Sequence, residues 1–136
     1  MNALHIVFRT SRFNLSKVGA HFINPCCFGE DLAAWLRDKL GGKGIEAREP
    51  HQEDWGWELA VTSGGQSYYL GVGGNADGSA ENRDEGEWRV IVEKKRSIVQ
   101  RFSGQGMITS KDELLLSLKE VLVADATIRD VHVEDV

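Results

Sequence analysis

Cysteine is scarce in this chain. Its 136 residues hold two, adjacent at Cys26 and Cys27. Neighbouring cysteines cannot draw a framework of long-range disulfides, so the fold must stand on its hydrophobic core. Basic charge is also short, with 16 lysines and arginines against 21 acidic residues and a formal net charge of −5. A field of that sign repels polyanions, which argues against nucleic acid as a partner. Long apolar runs are missing as well. No stretch approaches the roughly 20 residues that span a bilayer. The short apolar run within Met1–Phe13 is broken by His5 and Arg9 and lacks a cleavage site. The expectation is a cytoplasmic protein with no membrane partner. Cysteine or histidine pairs at the spacing of a zinc motif are absent, and no metal or other cofactor is expected.

What remains is ordinary globular material, 41% hydrophobic and 27% charged. A chain of this length buries roughly two-thirds of its unfolded surface on folding. No repeat or linker divides it, so residues 1–136 are expected to form one domain.

Alternation of apolar residues at Leu4, Ile6 and Phe8 predicts a strand over Leu4–Arg9. His21–Ile23 suits a second short strand, and Pro25 then halts regular structure. Leu32, Ala33, Leu36 and Leu40 follow helical spacing, which predicts a helix over Glu30–Leu40 that stops at Gly41-Gly42. After a short strand at Ile45–Arg48, the segment Trp55–Thr62 places Trp55, Trp57, Leu59 and Val61 on one face, expected to be the core face. A glycine turn at Gly64-Gly65 returns the chain through Ser67–Val72 as a hairpin. Gly73–Glu87 reads as an exposed polar loop, Trp88–Val92 as a further strand and Ile128–Val133 as the last one. Ser110 and Glu113 form an S-x-x-E pattern, which predicts a capping box for a second helix carrying Leu114, Leu115, Leu118, Val121 and Leu122 inward. The fold class expected is α+β, with two layers: an antiparallel sheet of about 4–6 strands and two helices packed on one face.

The run Phe22-Ile23-Asn24-Pro25-Cys26-Cys27-Phe28-Gly29-Glu30-Asp31 and the block Glu53-Asp54-Trp55-Gly56-Trp57 resemble those of small bacterial proteins of unknown function. Tyr69–Gly74 and Glu93–Ser97 are similar to later blocks of the same group. The resemblance implies a bacterial source and carries no catalytic residue with it.

Four groups of residues suggest chemistry. Cys26 and Cys27 stand just before a predicted helix, whose N-terminal dipole and free N–H groups favour a thiolate. His21 or His51 would then be the base, although buried structural thiols are the simpler explanation of the pair. Bridging two adjacent cysteines strains the peptide between them. Glu53, Asp54, Trp55 and Trp57 combine carboxylates with indoles, a set able to stack on a sugar ring or a cation, while Trp55 and Trp57 also read as core residues. The loop containing Asn75, Asp77, Ser79 and Glu81 departs from a calcium-binding pattern, since Ala80 stands where glycine is required and Gly86 where glutamate is. Lys94, Lys95, Arg96 and Arg101 form the one basic cluster, read as a solvated strand end or as paired with the 77–87 acidic loop.

Two functions are carried forward. The first is a small non-enzymatic binding or protein-interaction domain whose partner is another protein or a second copy of the chain. The second is a thiol-dependent enzyme or redox sensor using Cys26 or Cys27.

Overall fold

The computed structural model describes residues 3–135. Its elements in chain order are β1 (Ala3–Thr10), α1 (Glu30–Gly42), β2 (Glu46–Ala47), β3 (His51–Glu53), β4 (Gly56–Ser63), β5 (Gln66–Ala76), β6 (Gly86–Lys94), α2 (Ile98–Ser103), α3 (Glu113–Val123) and β7 (Arg129–Asp135). The fold is a mixture of helix and strand dominated by one antiparallel sheet of seven strands in the order β2-β4-β5-β6-β1-β7, with β3 also paired to β4. The strand number exceeds the four to six expected. Two short strands account for the excess: β2 and β3 pair with opposite ends of β4 and split one sheet edge between them.

Period-two alternation sets which residues of the sheet are buried. Leu4, Ile6 and Phe8 of β1, Leu59 and Val61 of β4, Leu70 and Val72 of β5, and Trp88, Val90 and Val92 of β6 join one apolar cluster. Leu32, Leu36 and Leu40 of α1 and Leu114, Leu115, Leu118 and Leu122 of α3 belong to the same cluster, and all seven are fully buried. The helical stripes read from the sequence therefore share one core with the buried strand residues. At the β4–β5 turn, Gly64 and Gly65 both take positive φ, 57° and 76°, the geometry of a two-residue hairpin that other side chains resist.

Several boundaries differ from the sequence reading. β5 runs on to Ala76 and β6 begins at Gly86, so pairing from Gly73↔Arg89 to Ala76↔Gly86 turns both ends of the expected loop into a longer hairpin and leaves 77–85 as its irregular tip. Gly74 is what admits this extension, because a Cβ there would meet the Trp88 ring at 2.6 Å. No strand forms at His21–Ile23, where the chain is irregular. Helix α3 opens at Glu113 with Asp112 as its cap, whose carboxylate accepts from the backbone N–H groups of Leu114 and Leu115. Ser110 therefore lies two residues too early to cap it. Asp112 displaces Ser110 because its carboxylate also accepts a hydrogen bond from the Tyr68 hydroxyl at 3.0 Å and lies 3.4 Å from Lys94 Nζ.

Candidate functional site

The segment before α1 is held from outside rather than by its own secondary structure. Gln52 of β3 clamps it with both ends of its amide. The Oε1 atom accepts from the backbone N–H groups of Ile23 and Asn24, and the Nε2 atom donates to the carbonyls of Asn24 at 2.7 Å and Cys27 at 3.2 Å. Trp57 adds a third hold, its indole N–H donating to the Cys27 carbonyl at 3.0 Å. Within this clamped loop Cys26 and Cys27 are joined to each other as a disulfide, despite the strain that adjacency implies. No described cysteine is a free thiol. Cys27 Sγ lies 3.2 Å from the Asp54 carbonyl oxygen, a sulfur–oxygen contact in which a bonded sulfur donates no proton. Cys26 is exposed and Cys27 partly so.

His21 and His51 are engaged elsewhere. His21 Nε2 sits 2.7 Å from Glu30 Oε1, and His51 Nε2 sits 3.0 Å from Glu53 Oε1 and 3.8 Å from Glu58 Oε1. Among the described residues neither ring hydrogen-bonds to a cysteine, so the base suggested for a thiol nucleophile is not brought to it. His5 meets Arg89, and His132 meets Glu134 and the Asp130 carbonyl.

The four residues proposed as a binding group separate onto two faces. Trp57 is 4% exposed inside the core. Trp55 does not share its face: Asp54 and Trp55 form the two-residue turn between Glu53 and Gly56, and the Trp55 indole folds back over Gly71 on the other side of the sheet. Glu53 lies in register with Gly56 near that second face, and Asp54 spends one carboxylate oxygen on the Asn24 side-chain amide. Trp55, half exposed, is the indole a ligand can reach.

The sequence reading passed over the surface of α2. Ser97 and Gln100 form a reciprocal capping box, Gly104 ends the helix at φ 72°, and the Gln105 N–H closes onto the Gln100 carbonyl at 3.1 Å. The S-x-x-Q pattern and the following glycine are visible in the sequence and were the available signal. No residue of α2 is buried, and Ile98, Val99 and Phe102 are 73%, 76% and 89% exposed. Around them stand Lys95, Arg96 and Arg101, none of which forms an ion pair among the described residues. Lys95 lies 4.4 Å over the Tyr69 ring, and Arg96 donates to the Gln105 carbonyl. The expected pairing of this basic cluster with the acidic loop does not occur. The two sit at opposite ends of β6, and the loop's Asp77 and Glu85 pair instead with Arg9 and Arg129.

No helix among the described residues is long and apolar enough to cross a membrane. No protein-family model matches the chain, and neither a curated protein nor a solved structure is significantly similar to it.

Proposed function

We propose that this chain is a small non-enzymatic protein-interaction domain that inserts α2 into an apolar, acid-rimmed groove on a partner protein. The observation that carries this reading is the exposure of Ile98, Val99 and Phe102 on a helix that buries nothing of its own. A six-residue helix is too short to persist on intrinsic propensity. Its two caps hold it, so the domain's own core has no use for its large apolar side chains. Fully burying each against a partner is worth about 1.5–3 kcal/mol. The flanking Lys95, Arg96 and Arg101 favour an acidic rim and disfavour a like-charged one. We place this interaction in the cytoplasm of a bacterium, on the sequence grounds given above.

The test is capture with wild-type chain, followed by purification of the captured protein and measurement of its affinity. Phe102→Asp should weaken binding by about 30-fold or more, as expected of an interface hot spot, and Arg101→Glu should weaken it less and reduce its salt dependence. Affinity unchanged by Phe102→Asp overturns the reading. So does sedimentation showing a wild-type oligomer that Phe102→Asp dissolves, since the patch would then be a contact between copies.

A second reading rests on a separate observation, the bonded pair Cys26–Cys27 with Cys26 exposed. A disulfide that persists in a reducing cytoplasm is unusual unless it cycles. As a sensor, it would accept two electrons and two protons from an external dithiol, opening to two thiols as the dithiol closes to a disulfide. Trapping with a thiol reagent from intact cells before and after oxidant exposure tests it. Two permanently blocked cysteines, or two permanently free ones, remove it.

A further inference from the structure

Strand pairing gathers three potential metal ligands from two adjacent strands. His51 and Glu53 lie two residues apart on β3 and so share a face. Glu58 stands directly across from His51 in the β3–β4 ladder, on that same face. The nitrogen and the two carboxylate oxygens that these residues present all lie within 4.8 Å of one another.

We propose that His51 Nε2, one oxygen of Glu53 and one oxygen of Glu58 form a binding site for a divalent transition-metal ion of the zinc class. The spacing supports it. Metal–ligand bonds of about 2.0–2.2 Å put neighbouring ligands roughly 3.0–3.5 Å apart at octahedral to tetrahedral angles. The imidazole nitrogen is 3.0 Å from Glu53 Oε1 and 3.8 Å from Glu58 Oε1, so small side-chain rotations close the polyhedron. Imidazole with two carboxylates is a donor set that suits zinc and its first-row neighbours, whereas calcium and magnesium prefer oxygen alone. Three protein ligands would leave at least one position on the ion for water.

The surroundings point the same way. Gly71 is the partner of Glu58 on the next strand, and the Trp55 indole lies over Gly71, walling one flank of the cluster. Glu58 is only 23% exposed at its side chain. By contrast, His21 with Glu30 and His132 with Glu134 each offer a single carboxylate to the ring.

The experiment is a calorimetric titration of the oxidised, full-length chain with zinc chloride in a non-chelating buffer near neutral pH. One saturable site is expected. Second-shell substitutions alone cost about 10–100-fold in metal affinity, so removal of a ligand in His51→Ala or Glu58→Gln should weaken zinc by a factor of about 100 or more. His132→Ala should leave the isotherm unchanged, and the Cys26→Ser/Cys27→Ser double variant should keep it. Imidazole 15N spectra of the wild-type chain provide a reading that needs no variant: zinc should shift the His51 ring and spare His5, His21 and His132. Absence of a saturable site, a site that survives both ligand substitutions, or one lost with the cysteines overturns the proposal. The outcome is independent of the α2 reading, since Phe102→Asp touches none of these residues.

Discussion

The indole of Trp55 occupies the space that a side chain at Gly71 would fill. An added Cβ at Gly71 would stand 2.8 Å from Trp55 Cζ3, and closer still to Cη2. A turn residue of the β3–β4 hairpin is thereby folded across β4 onto the adjacent strand β5. Gly56, just beyond that turn, is equally tight but against backbone: a Cβ there would be 3.2 Å from the Val72 carbonyl carbon and nearer its oxygen.

These two glycines should therefore differ in cost. Gly71→Ala displaces the end of a half-exposed side chain, which can swing into solvent, and it should destabilise by about 1 kcal/mol while red-shifting the Trp55 emission. Gly56→Ala has to move backbone and should cost about 3 kcal/mol, the upper range for overpacking. Urea midpoints with emission spectra distinguish them, and equal costs would mean that Trp55 is fixed as firmly as the strand.

Asp112 carries several bonds at once. It caps α3 through Leu114 and Leu115, accepts the Tyr68 hydroxyl at 3.0 Å and faces Lys94. Asp112→Ala should lose about 1 kcal/mol for the cap and about 1–3 kcal/mol more for the Tyr68 hydroxyl left inside without this partner. Ser110→Ala should fall within about 0.5 kcal/mol of wild type. Thermal or urea unfolding of both variants measures the contrast. Burial, together with the hydrogen bond to the same carboxylate, raises the Tyr68 phenol far above its ordinary range, so its absorbance should not titrate before the fold opens in alkali.

Two histidines near Glu134 should give stability opposite slopes with pH. Burial, then the Arg89 guanidinium, lowers His5 below its ordinary 6.5. Its contribution is complete above about 6.5 and is lost as the pH falls from there towards the folded value. His132 is raised, first by its bond to the Asp130 carbonyl and then by Glu134. Its contribution is complete below the unfolded value and is lost as the pH rises through the folded one. Unfolding midpoints between about pH 5 and 8, the range in which histidine changes charge, should show His5→Gln flattening the acid-side loss. His132→Gln should flatten the loss on the other side. Parallel changes in the two variants would show that the Arg89–Glu134 network does not divide them in this way.

Gln52 holds the cysteine loop by four hydrogen bonds to Ile23, Asn24 and Cys27. Gln52→Ala should leave the sheet intact, because the backbone pairing of β3 to Trp57 does not need the side chain. Amide exchange at Ile23 and Asn24 should quicken, and the Cys26–Cys27 pair should react faster with an external dithiol as access improves. Unchanged exchange and reduction rates would mean that Trp57 and the Asn24–Asp54 contact suffice to hold the loop.

Helix α1 and strands β1, β4, β5 and β6 were legible because each repeats its pattern over several turns or pleats. Leu32, Leu36 and Leu40 can share one buried face only as a helix, and Leu4, Ile6 and Phe8 only as a strand. The short elements were not legible. β3 presents His51, Gln52 and Glu53, three polar residues with no alternation to read, and it exists because β4 offers a free edge. In α2 the caps were readable, but an apolar run with no buried face resembles an irregular segment.

Local pattern thus determined the α+β class, the two amphipathic helices, the glycine hairpin after Ser63 and the inventory of reactive groups. Tertiary structure decided where those groups went. Trp55 shares sequence parity with Trp57, yet the two-residue turn ahead of β4 breaks that parity and turns its indole to the opposite face. His51 and Glu58 are neighbours only because antiparallel register sets them across from each other. The reason is physical: a repeating apolar pattern reports which side of an element is buried, whereas turn geometry and strand register depend on segments distant in the chain and leave no periodic trace.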